Sequence, residues 1–213
     1  MATHPVPIDA SRRTRRKLEL SQRIVESAVA LFDEQGFEAT KVSDICERAD
    51  VANKTFFNHF ATKGDLLRAI AHSALDEFLA EIEEARKTPG GTPARLRALF
   101  ERIADNALAA GPMRRELLAE IIHVAHESGT EGEQARRLHQ AFRALVRDGR
   151  SGGDVATTHS LEIQTDMLIG AFYALMLNWA NLDAYPLRRQ ALAAARFLSD
   201  ALTSAPRSKE RRR

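Results

Sequence analysis

Cysteine is almost absent from this 213-residue chain: Cys46 stands alone, so no internal disulfide can form and a disulfide-stapled secreted domain is excluded. A lone thiol also lacks the resolving partner a disulfide switch uses, which leaves Cys46 as a small apolar filler beside Ile45. Aromatics make up only 6%, and Gly and Pro fill 11 and 7 positions, a balance that leans to helices given the abundant Ala, Leu, Glu and Arg. Long apolar runs are missing too. The most apolar window, residues 167–182, is closed by Asp166 and Asp183 and falls short of the roughly 20 residues a spanning helix needs. Residues 1–10 carry Pro5 and Pro7 and no apolar stretch, unlike a secretory signal. There is no P-loop, nucleophile elbow or Gly-rich dinucleotide turn, so neither an enzyme nor a cofactor is expected. Charge of one sign is lacking as well, with 31 Lys and Arg against 29 Asp and Glu. The expectation is a soluble cytoplasmic protein without a membrane partner.

What is present is helical periodicity. With 44% apolar residues and no sustained period of two, the chain reads as all-α, with about nine helices. The first is expected over 18–35, where Ile24, Ala28, Leu31 and Phe32 form one buried stripe and Gly36 supplies a left-handed end. Two short helices follow, over 41–49 and 54–59, with Thr40 and Asn53 as caps. A fourth helix begins after Thr62, whose spacing to Asp65 resembles a capping box, and connects onward to residue 87. The TPGGTP run at 88–93 is the clearest break. Helices are then expected over 93–110, 112–127, 133–148, 158–181 and 186–202, separated by Gly111 and by the 128–132, 149–153 and 185–186 segments.

Two short helices joined by a tight turn are the helix-turn-helix pattern, in which the second helix enters the major groove. Val42, Ile45, Ala49 and Val51 are spaced to close a core against the first helix, with Phe56 or Phe57 and Phe60 burying the second short helix. The spacing of Ile24, Ala28, Leu31, Phe32, Gly36, Thr40, Val42, Ile45, Ala49, Val51, Thr55, Phe57, His59, Phe60, Lys63 and Leu66 resembles the DNA-binding domain of the TetR family of bacterial repressors. That resemblance implies a basic flexible arm over 1–17, a DNA-binding domain over 18–63, a ligand-binding and dimerisation domain over 64–204 with the fourth helix, 63–87, as connection, and a basic tail over 205–213.

It also implies a recognition helix over 53–60. Asn53, Lys54 and Asn58 would face base edges, where Asn pairs with adenine and Lys donates to guanine. Thr55, His59 and Lys63 would contact phosphates, with Thr40 and Ser43 doing so from the preceding helix start. Three positions depart from the family pattern: Asp50 replaces a turn Gly, Ala52 a capping Ser, and Phe57 a Tyr, so position 57 loses a hydroxyl that often reaches a phosphate.

Charge distribution adds an observation independent of the resemblance. Residues 1–23 hold six basic and two acidic residues, a balance of +4, whereas 24–62 hold three basic and seven acidic, a balance of −4. The helix-turn-helix core therefore has no net attraction for DNA, and Arg12, Arg13, Arg15, Arg16 and Lys17 are the expected source of electrostatic affinity. The +4 of residues 205–213 leaves −6 over 24–204, so the formal +2 is a cancellation.

In the C-terminal part, the helix over 158–181 is apolar nearly all round from Met167 onward and must be buried on more than one face. The resemblance implies a homodimer through the last two helices, 158–202, on a double-stranded operator with two related half-sites. It also implies a small-molecule inducer; Phe100, Ile103, Met113, Leu117, Ile121, His123, Phe172, Met176 and Trp179 are the candidate lining, although the same spacing serves a core. Few interior cations point to an uncharged or long apolar ligand. Glu120, His123, His126 and Glu127 form the one metal-like cluster, and the chain offers no second Glu-x-x-His to complete a di-iron bundle, so no metal site is expected. The implied function is a ligand-released repressor. A related activator or a ligand-independent regulator, and a helical-bundle binding protein or enzyme without DNA binding, are the alternatives.

Overall fold

The computed structural model describes the backbone of residues 8–109 and 132–203 and the side chains of 14–109 and 132–203. Among the described residues it is all helical: α1 (Ile8–Gln35), α2 (Val42–Arg48), α3 (Asn53–His59), α4 (Lys63–Arg86), α5 (Gly91–Ala109), α6 (Gly132–Ser151), α7 (Leu161–Asn181) and α8 (Leu187–Leu202). The helix expected over 112–127 lies outside the described residues. So do Met113, Leu117, Ile121, His123, the Glu120 to Glu127 cluster and the basic tail.

The chain divides into two compact units between Ile70 and Ala71. The boundary expected after residue 63 is thus several residues too early, because the buried Leu66, Leu67 and Ile70 on the first turns of α4 belong to the first unit.

In the first unit three of the four α1 stripe residues are buried, Ile24, Ala28 and Phe32 at most 1% exposed, while Leu31 is half-buried. Gly36 ends the helix at φ 84°, its N–H donating to the Phe32 carbonyl at 2.8 Å. Helix α1 begins at Ile8, ten residues earlier than expected, so the segment read as a flexible arm is helical from there. Charge was the source of that error: Arg, Lys, Glu and Leu are good helix formers, and Arg15 and Glu19 make an i,i+4 pair at 3.6 Å. Ile45, Cys46 and Ala49 of the α2 segment are buried. Burial pushes the Cys46 thiol up, away from the reactive thiolate. Asp50, at φ 52°, adopts the left-handed conformation that a turn Gly would otherwise supply.

The second unit is one core drawn from α4 to α8. Helix α5 packs mainly on α8, and α6 on α7. Helix α5 starts inside the expected 88–93 break because Asp154, 62 residues away, caps it: its carboxylate accepts the Thr92 N–H at 2.5 Å and the Thr92 hydroxyl at 3.0 Å. Helix α6 runs through the Gly-rich 149–153 segment as far as Ser151 for a related reason. A Cβ at Gly149 would lie 2.5 Å from Val155 Cγ2 and strike the Thr92 hydroxyl, so only glycine allows this approach. Ser160 caps α7 by accepting the Ile163 N–H at 3.1 Å.

Candidate nucleic-acid interface

Helix α3 is short, and its seven residues sort cleanly into two faces. Phe56 is fully buried and Phe60, just beyond the helix, is 8% exposed, which anchors α3 to the unit. Asn53, Lys54, Phe57 and Asn58 are exposed, at i, i+1, i+4 and i+5, so they share the opposite face. Thr55 and His59 are half-buried at its edge. The cap of α3 is Ala52, in extended conformation, so Asn53 is the first helical residue and its amide stays outside the capping position. The choice left open between Phe56 and Phe57 resolves by register: Phe56 enters the core and Phe57 stays 54% exposed.

Two residues expected at phosphates are engaged inside the fold. Thr40 is 1% exposed; its hydroxyl donates to the Gly36 carbonyl at 2.8 Å and accepts from Gln35 Nε2 at 3.2 Å. Lys63 donates its ammonium to the carbonyls of Phe37 and Thr40, at 2.6 and 3.0 Å, and sits 4.1 Å from the Phe37 ring centroid. Both side chains tie down the α1–α2 connection. Thr40 is also not the α2 cap, which is Lys41. Ser43 is exposed, and its hydroxyl donates to Asp44, whose carboxylate also accepts the Lys41 N–H at 3.2 Å. Helix α2 therefore starts with a carboxylate of its own.

Lys17 of the basic segment lies close enough to His59 of α3 to act on it electrostatically. Arg15, Arg16 and Lys17 are exposed on α1, and the side chains of Arg12 and Arg13 lie outside those described. Burial first, and the nearby Lys17 ammonium second, hold the His59 imidazole below its ordinary value, favouring its neutral form. Arg48, by contrast, is committed to Glu34 through two 2.6 Å contacts. Exposed cations of the first unit thus include Arg15, Arg16 and Lys17 of α1 and Lys54 of α3.

In the second unit Phe100, Ile103, Phe172, Met176 and Trp179 are at most 7% exposed and all join one apolar core. Sequence reasoning missed two of their partners: Phe78 stacks on Phe172 at 4.6 Å, and Phe142 lies 6.0 Å from the same ring. The apolar positions of α4 around Phe78 were the available signal. Among the described residues no three potential metal ligands come together, and no described helix is long and apolar enough to cross a membrane.

With this geometry in view, the HTH-type transcriptional regulator TcmR of Streptomyces glaucescens is 33% identical over 169 residues, covering 78% of this chain and 71% of TcmR. The chain belongs to the TetR family. The model of the bacterial regulatory proteins of that family matches residues 24–70, which hold the C-terminal part of α1, all of α2 and α3 and the first turns of α4. The HTH-type transcriptional regulator AcrR of Shigella flexneri is 28% identical over 184 residues, covering 79% of this chain and 82% of AcrR. FadR of Bacillus subtilis, solved in complex with stearoyl-CoA, shares the fold with a TM-score of 0.65 at 19% identity, covering 85% of this chain and 98% of FadR. This TetR-family chain is a DNA-binding transcriptional regulator and not an enzyme.

Proposed function

We propose that this regulator is a cytoplasmic homodimeric repressor that holds a two-fold symmetric operator through α3 and leaves it when a small apolar inducer binds. The observation that carries the reading is the two-faced α3: Phe56 buried, and Asn53, Lys54, Phe57 and Asn58 presented together. Asn and Lys are side chains that read adenine and guanine in the major groove. Exposed Arg15, Arg16 and Lys17 supply phosphate contacts, with Arg12 and Arg13 preceding them in sequence.

Dimerisation through α7 and α8 is supported by where apolar surface remains. Of the eight exposed large apolar side chains among the described residues, five fall in 161–202: Ile163, Met167, Leu177, Leu182 and Phe197, the last 72% exposed. Ile163, Met167, Gly170, Ala174 and Leu177 recur at i, i+4, i+7, i+11 and i+14, one stripe of α7. A Cβ on Gly170 would meet nothing within 4 Å, so nothing described in this chain requires glycine there, and mid-helix glycine costs about 1 kcal/mol. Close approach of a second copy's helix accounts for it. Phe197→Glu, at an exposed position, should give folded monomers by sedimentation; a stable dimer in that variant would count against the interface.

The inducer site is read at Phe100, Ile103, Phe172, Met176 and Trp179, together with Met113, Leu117, Ile121 and His123. Long apolar or uncharged ligands suit this set, and FadR of Bacillus subtilis, which shares the fold, was solved in complex with stearoyl-CoA. Release requires the ligand to favour the DNA-free dimer shape, a coupling typically about 1–3 kcal/mol. Trp179 is the sole tryptophan of the chain, so its emission reports on the site. Apolar compounds that release DNA should change that emission with the same midpoint. Release with unchanged emission would contradict the lining assignment.

A further inference from the structure

Phe57 is the residue on the recognition face whose exposure has no explanation within the chain. A phenyl ring left 54% exposed keeps apolar surface in water, while its neighbour Phe56 takes the core position. The two rings meet edge to face at 5.4 Å and 83°, so the buried ring fixes the direction of the exposed one. Phe57 carries no donor or acceptor and cannot bind a phosphate oxygen. Its companions on that face, Asn53, Lys54 and Asn58, are all polar. Base edges in the major groove offer a single apolar group, the 5-methyl of thymine.

We propose that Phe57 is a specificity residue that reads a thymine in each half-site, its ring packed on the 5-methyl group beside the base pairs contacted by Asn53 and Asn58. The inference rests on α3 being the recognition helix. It accounts for a phenyl ring at this position: an apolar ring discriminates thymine from the other bases by a methyl contact, where a hydroxyl would make a sequence-blind backbone bond.

The test uses the full-length dimer and a site selected from random DNA. Each thymine of the half-site is replaced in turn, symmetrically, by deoxyuridine, which removes the methyl and keeps the pairing. One position should weaken binding about four-fold per methyl, or about fifteen-fold for both half-sites, the loss expected for one methyl group. Phe57→Ala should bind the thymine and deoxyuridine sites equally and remain folded by circular dichroism, with at most the small loss of stability expected for an edge-to-face ring pair. A flat deoxyuridine scan on a site whose recognition depends on Asn53 and Lys54 overturns the inference and leaves the recognition helix standing. Phe57→Ala that keeps the methyl dependence, or that weakens all DNA sequences alike, overturns it too. Failure to recover any preferred site overturns both.

Discussion

Replacing Arg15, Arg16 and Lys17 together by Gln keeps helix propensity while removing three exposed charges from α1. Residues 24–62 carry a balance of −4, so the basic segment of α1 should supply a large share of the first unit's phosphate attraction. Each phosphate neutralised adds about 0.9 to the slope of log affinity against log salt. Three contacts per protomer bring about 2.7, and a dimer about 5.4, at the upper limit. Arg15 is partly engaged by Glu19 at 3.6 Å, and without it the dimer value is about 3.6. The variant slope should therefore be shallower by about 4 to 5, an affinity difference of roughly 2 to 3 orders of magnitude across a four-fold change in salt. Fluorescence anisotropy on one operator fragment between roughly 50 and 200 mM KCl, where the effect is large, reads it directly. Parallel salt lines at equal affinity would show that the charges touch no phosphate and refute the reasoning.

Three further outcomes follow from particular contacts. Lys63→Ala removes an ammonium shared by the Phe37 and Thr40 carbonyls; urea titration should show a loss of about 1–2 kcal/mol, near the low end for charged hydrogen bonds because the site is half-exposed, with an unchanged salt slope. A reduced slope in that variant would restore the phosphate role. Gly149→Ala forces a methyl against Thr92 and Val155 and should cost about 1–3 kcal/mol of overpacking; an unchanged melting temperature would contradict the close approach. His59 has a folded-state value below its ordinary one, so it favours the neutral form. Its contribution to stability is full above about 6.5 and lost as pH falls through the lowered value. Stability curves for the parent and His59→Asn should converge at high pH and separate below that point, and identical slopes would contradict it.

The local features of the first unit were legible because they are set by neighbours in sequence. The Ile24, Ala28, Phe32 stripe, the left-handed Gly36 and the left-handed tolerance of Asp50 each follow from spacing or backbone preference. What was misread depends on distant partners. The start of α5 at Gly91 is set by Asp154, and the continuation of α6 past residue 148 by the space Thr92 and Val155 take, neither of which a local pattern contains. The resemblance placed Lys63 at a phosphate, whereas the carbonyls its ammonium reaches lie 23 and 26 residues back and leave no local signal. The faces of α3 needed its true register, since two adjacent phenylalanines give the same hydrophobic pattern whichever one is buried.

The central claim is that α3 reads sequence with the face bearing Asn53 and Lys54. Its most direct test compares the parent and the Asn53→Ala, Lys54→Ala double variant on the selected operator and on a scrambled fragment, with circular dichroism confirming the fold. The parent should prefer the operator, and the double variant should lose that preference by about two orders of magnitude or more, at roughly 1–3 kcal/mol per base contact, while still binding the scrambled fragment weakly. A double variant that folds and keeps the parent's preference would contradict the account.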